Sequence, residues 1–251
     1  MLRTNAFRLQ SSMIFAACLC FPRLPAAQVV DVVIPARADN TLYEDQQGAL
    51  SNGQGDGMFV GRTGTNSGFV LRRALVMFDV AGNVPAGATV RGVQLALTMT
   101  KANSGDKLVR LHRVLAGWGE GASLAGGEGG GGGPAASGDA TWRHRFFNTD
   151  LWSTLGGDFV ATPSAEALVG DVGTYTWEST QGLVDDVQAW LDQPASNAGW
   201  ILVGEESGGV SSKRFATRES SRAADRPVLH VTYASTAVAP STWSAIKSLF
   251  R

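Results

Sequence analysis

Five basic side chains carry the most recognisable chemistry in this sequence: Arg72, Arg73, Lys213, Arg214 and Arg218. Arg72 and Arg73 sit in one strand-like run, and Lys213-Arg214-x-x-x-Arg218 forms another. At ~3.3 Å per residue, strand alternation places Arg214 and Arg218 on one face, about 13 Å apart. Guanidinium forks match carboxylates bidentately. Two such strands side by side make a basic stripe suited to an acidic polymer such as a uronic-acid glycan. The competing arrangement is internal, with the same cations paired to Asp79, Glu205, Glu206 or Glu219. Trp118, Trp142 and Trp152 fall in loops, where an exposed ring stacks on sugars and a covered one fills a core. Trp190 and Trp200 have the spacing of core residues.

Oxygen ligands form the second constellation. Asp39 and Glu44 follow the first strand-like run and Glu219 follows the last basic run. If the first and last strands are neighbours, these three carboxylates are expected to meet and hold a structural calcium ion. Asn52-Gly53-Gln54-Gly55-Asp56-Gly57 lacks the closing glutamate of an EF-hand loop. His112, His144 and His230 have no zinc-ligand spacing, and no Gly-x-Ser-x-Gly elbow is present. Glycoside cleavage needs two carboxylates across a cleft. Glu120, Asp139, Asp158, Glu205 and Glu206 are available, but the sequence brings no two of them together. The glycines from Gly126 to Gly133 have no Lys-Ser/Thr after them and no strand-to-helix context, so a flexible surface loop is expected there, not a phosphate cradle.

Short strands between glycine-rich turns must position these residues. Apolar alternation marks strands at Val29–Ile34, Met58–Gly61, Val70–Val80, Thr89–Lys101, Lys107–Leu115, Thr174–Glu178, Trp200–Gly204, Ser212–Arg218 and Val228–Tyr233. In the fourth of these, Val93, Leu95, Leu97 and Met99 share a face, the pattern of a half-buried antiparallel strand. One helix is expected after Ser179-Thr180, where Leu183, Val184, Val187, Trp190 and Leu191 form a single stripe. A second short helix, with Trp243, Ile246, Leu249 and Phe250 on one side, is expected in the tail and must dock on its own domain or on a partner.

The chain has 251 residues, with 21 basic and 22 acidic side chains. Arg3 and Arg8, a short apolar run to Phe21, and Pro25-Ala26-Ala27 read as a cleavable secretory leader. A lipoprotein anchor at Cys18 is the alternative reading. Both cysteines, Cys18 and Cys20, lie in that leader, so the mature chain has no thiol and suits an oxidising compartment. Loss of the leader leaves 18 basic against 22 acidic residues, which gives no support for a nucleic-acid partner. The expected organisation is a leader over 1–27, a β-sandwich over 28–233, and a linker with its tail helix over 234–251. No transmembrane segment is expected.

The ordered set of motifs resembles a known family. Asp39-Asn40-Thr41-Leu42-Tyr43-Glu44 precedes Val60-Gly61, then Arg72-Arg73-Ala74-Leu75-Val76-Met77-Phe78-Asp79 and Val84-Pro85-Ala86-Gly87-Ala88-Thr89-Val90. Gly117-Trp118-Gly119-Glu120-Gly121, Gly138-Asp139-Ala140-Thr141-Trp142 and Asn197-Ala198-Gly199-Trp200 follow. Lys213-Arg214-Phe215-x-x-Arg218-Glu219 and Arg226-Pro227-x-Leu229-x-Val231-x-Tyr233 complete the series. This order is similar to the DNRLRE domain family of secreted bacterial and archaeal proteins, across roughly Asp31 to Tyr233, although the six-letter run of that name is absent. The resemblance implies a jelly-roll β-sandwich; with the two helices read from the sequence, the expected fold is an all-β, jelly-roll-like antiparallel β-sandwich with one short inserted helix and a short C-terminal helix. Some relatives are carbohydrate-binding modules attached to alginate-degrading enzymes, and others belong to cell-surface proteins. No catalytic domain is expected beside the module. The leading expectation is a secreted, non-catalytic module for an acidic polysaccharide or cell-surface glycan. The alternatives are a structural or assembly protein of the surface or matrix, and a polysaccharide-degrading enzyme.

Overall fold

The structure is a computed structural model and describes residues 28–235. The leader and the tail helix expected from the sequence lie outside these residues. Among the described residues there are fourteen strands: β1 (Val29–Tyr43), β2 (Leu50–Ser51), β3 (Gly57–Arg62), β4 (Leu71–Phe78), β5 (Thr89–Ala102), β6 (Lys107–Arg113), β7 (Gly133–Pro134), β8 (His144–Phe146), β9 (Asp150–Leu151), β10 (Ala165–Val169), β11 (Gly173–Trp177), β12 (Trp200–Val203), β13 (Lys213–Ala216) and β14 (Val228–Ala234). Two α-helices accompany them, a single turn α1 (Val80–Asn83) and α2 (Gln181–Asp192). The all-β sandwich class expected from the alternation is what the chain adopts, and the last strand runs to Ala234.

All pairings are antiparallel. One layer is ordered β1–β14–β5–β13–β3, with β11 on the other side of β5. The second layer is ordered β1–β4–β12–β6–β10. β1 belongs to both layers. Val29 to Pro35 pairs with β14, and Ala36 to Tyr43 pairs with β4, with a register shift between Ala36 and Ala38. β3 crosses in the same way, from β13 to the start of β4. Bulges and bends are how strands change layers at the corner of a sandwich.

The faces follow the period of two. Val93, Leu95, Leu97 and Met99 of β5 point inward against Ala74, Val76 and Phe78 of β4, with Trp177, Trp200, Leu202 and Phe215. Helix α2 starts where Thr180 Oγ1 accepts from Leu183 N, an N-cap bond. Its stripe of Leu183, Val187, Trp190 and Leu191 closes the same core, and the Trp190 and Trp200 ring centres are 4.5 Å apart. The second layer is covered on its outer face too. Leu42, Leu75 and Ile201 meet Val114, Trp118, Ala140, Trp142 and Trp152 from the long excursion between β6 and β10. No helix among the described residues is long and apolar enough to cross a membrane.

Candidate functional site

The five basic residues do not form one stripe. β3 runs between β13 and β4, so Arg72-Arg73 and Lys213-Arg214 are not on adjacent strands. β13 ends at Ala216, which leaves Arg218 in the following turn and off the Arg214 face. Alternation turns Lys213 inward. It is 1% exposed, and its ammonium donates to the carbonyls of Ser104, Gly105 and Gly170 at 2.6, 2.8 and 2.8 Å. Burial pulls its pKa down. Arg73 donates from Nε and Nη2 to Glu206 at 2.7 and 2.8 Å, the internal pairing considered from sequence. Its guanidinium covers the rings of Trp142 and Phe159. Trp118 is buried with its indole N–H on the Ala198 carbonyl, and Trp142 is buried beneath Arg73.

Arg72 and Arg214 reach the same glycine segment, Arg72 at the Gly130 carbonyl and Arg214 at that of Glu128. A cleft of about 140 Å³ opens there, lined by Phe59, Thr63, Arg72, Lys101, Asn103 and Ser212. That volume equals about five waters at liquid density. Arg214 lies 5.8 Å from the centre of the Phe59 ring and pairs with Asp56. The glycine segment forms one wall of the cleft and is pinned, in contrast to the flexible loop expected. Tyr43 donates to the Gly129 carbonyl at 2.7 Å, Arg214 reaches the Glu128 carbonyl, and Arg72 reaches that of Gly130. Glycine is required at 132, where φ is +72° and a Cβ would press within 3.2 Å of the Tyr43 ring.

Arg72 differs from the other arginines in its partners. It is 5% exposed, yet no described carboxylate is within ion-pair distance of its guanidinium. It donates to the Leu71 carbonyl at 2.8 Å and makes two long contacts of 3.4 Å to Gly130 O. The Tyr43 ring lies 4.7 Å below it. Burial lowers its pKa, against the pull of Tyr43, Glu44 and Asp45. Holding a cation out of water costs several kcal/mol, and a ring face returns about 2. Beside it, Lys101 is half exposed and paired to the exposed Glu128 of the glycine segment.

The calcium expectation resolves differently. First and last strands are neighbours, and Asp39 and Glu219 do meet. Glu44 does not join them, because five extended residues carry it roughly 16 Å along β1, where it accepts from Leu71 N. Glu120 takes its place. Arg218 clamps Glu120 with two bonds of 2.7 Å and contacts Glu219 Oε1 at 3.0 Å, while its backbone N–H donates to Asp39 at 2.8 Å. The Glu120 bond raises the Arg218 pKa, and burial raises those of Asp39 and Glu219. Glu120 is 81 residues from Asp39, so no local pattern links them. A signal was present in its flanking glycines. A Cβ at Gly119 would lie 1.8 Å from Gly138 O and one at Gly121 would lie 1.6 Å from Asp139 Oδ1, so this segment is threaded through a tight passage.

A second groove, of about 580 Å³, is lined by Arg73, Leu115, Leu155, Asp158 and Phe159. Both Asp158 oxygens accept backbone N–H groups, from Ser153 and Thr154, so this carboxylate fastens a turn. Asp39, Glu120 and Glu219 line neither this groove nor the Arg72 cleft. No family model matches the chain, and no curated protein matches it.

Proposed function

We propose that this chain is a non-catalytic extracellular binding module for a carboxylate-bearing polysaccharide, and that the Arg72 cleft is where one uronate unit docks. The observation that carries this reading is a buried guanidinium with no carboxylate partner among the described residues, at the wall of a cleft open to solvent. A carboxylate is the partner that such a fork lacks. Lys101 adds a second positive charge at the rim, and Thr63, Asn103 and Ser212 offer hydroxyl and amide groups to sugar hydroxyls. Glu128 occupies Lys101 in the free protein and, being largely exposed, turns away to admit the ligand. The resemblance of the motif order to the DNRLRE family supports a carbohydrate role, and the leader expected at 1–27 takes the domain out of the cell in this reading.

The test is retention on immobilised polyuronate, with a neutral polysaccharide as control. Lys101→Ala removes an exposed charge, and Arg72→Lys keeps the charge but loses the fork. Each is expected to weaken retention about 10–100-fold, the worth of one or two hydrogen bonds to charged groups. Folded variants that bind as the parent does, or equal binding of parent protein to the neutral polymer, refute the assignment.

A further inference from the structure

Asp39, Glu120 and Glu219 are short of positive charge. One oxygen from each lies within 4.8 Å of the others. When ionised, three carboxylates against the single guanidinium of Arg218 leave a formal charge of −2. Both Glu120 oxygens are taken by Arg218, and Oε1 also accepts from Asp39 N. Asp39 Oδ2 accepts from Arg218 N. Two oxygens remain: Asp39 Oδ1 and Glu219 Oε2 are buried and have no hydrogen-bond partner among the described residues. Asp39 is 0% exposed. Buried polar atoms are ordinarily satisfied, and leaving a carboxylate oxygen dry and unpaired is costly.

We infer that these carboxylates form a binding site for one hard divalent cation of the calcium class. The donor set is oxygen only, which suits calcium and not zinc. Oxygens sharing one calcium at about 2.3–2.6 Å lie at most about 5 Å apart, which the cluster satisfies. Magnesium keeps several of its waters, and this site is mostly dry. The charge of the ion matches the local deficit, and the ion itself is the partner that Asp39 Oδ1 and Glu219 Oε2 lack. Arg218 acts as a positioning residue that fixes Glu120. The ion would join β1, the long excursion and the turn after β13 at one point, beside the Arg218–Glu120 clamp. This inference is independent of glycan binding.

The full chain, stripped with EDTA and studied without polysaccharide, is titrated with calcium chloride by calorimetry and thermal unfolding. One calcium per chain is expected to bind, with the Tm raised about 5–10 °C at a hundredfold excess over Kd. Magnesium should give a smaller shift. Glu219→Gln, checked for fold by circular dichroism, should lose most of the calcium shift. If that variant does not fold, calcium titration of the parent protein still decides the matter. Absence of calcium binding by the stripped parent overturns the inference and leaves protons shared among the carboxylates. A Glu219→Gln protein that keeps the full shift overturns it as well, because the ion then sits elsewhere.

Discussion

Replacing Lys213 by methionine isolates the largest polar tie between the turns of this sandwich. Methionine keeps an unbranched, largely apolar stem, with sulfur in place of Cδ, and lacks the ammonium. Three carbonyls then lose a donor: those of Ser104 and Gly105 in the β5–β6 turn, and that of Gly170 between β10 and β11. The Gly170 bond is buried, so its carbonyl bears the full cost of about 1–3 kcal/mol for an unpaired acceptor. The two turn carbonyls are half-buried and recover part of their hydration, which adds about 1–2 kcal/mol. Release of a buried charge works in the other direction, since burial already disfavours the protonated form. The balance is a loss of about 2 kcal/mol. For a domain of this size that lowers Tm by about 4–8 °C. Scanning calorimetry reads the shift, and amide exchange should quicken at Ser104, Gly105 and Gly170. A Tm within a degree of the parent, or above it, refutes the cross-tie.

Two further outcomes follow from the same structure. Glu128→Gln removes the carboxylate that competes for Lys101, so polyuronate affinity should rise about two- to fivefold, the scale of one exposed ion pair; unchanged or weaker retention contradicts the docking site. Asp186 has its pKa raised by burial, against the pull of Ser164, Trp200 and Arg113. Its folded pKa exceeds the unfolded value of 3.8, so the native state holds the extra proton in the interval above pH 3.8, and this group's contribution fades as pH rises through that interval. Asp186→Asn should flatten that part of the stability curve in urea titrations, and a slope equal to the parent's counts against this assignment.

Legibility in the sequence tracked how completely a strand obeyed two-residue alternation. β5 was readable because one face meets the core and the other does not. Helix α2 was readable from its stripe and its Thr180 cap. The second half of β1 was not, since Asp39, Asn40 and Thr41 are fully buried where apolar residues are the rule. Their burial depends on distant partners: Asn40 bonds Ser51 and the Glu120 carbonyl, and Thr41 Oγ1 accepts from Phe59 N. β10 is short and lies at an edge, with an exposed Leu168 that breaks the pattern. The aromatic cover over the second layer has no period at all, so Trp118, Trp142 and Trp152 could be placed in a loop but not in a core. Charge gave residue types without pairings. Which arginine finds a carboxylate is decided by strand order, and only the folded chain separates Arg73, bound to Glu206, from its neighbour Arg72, bound to none.

The most direct test of uronate docking at Arg72 is a crystal structure of the protein with a short oligouronate. The expected result is a sugar carboxylate on the Arg72 guanidinium and the Lys101 ammonium, with the Glu128 side chain swung out of the cleft. A sugar seated in the large groove by Arg73, with Glu128 still on Lys101, would contradict it.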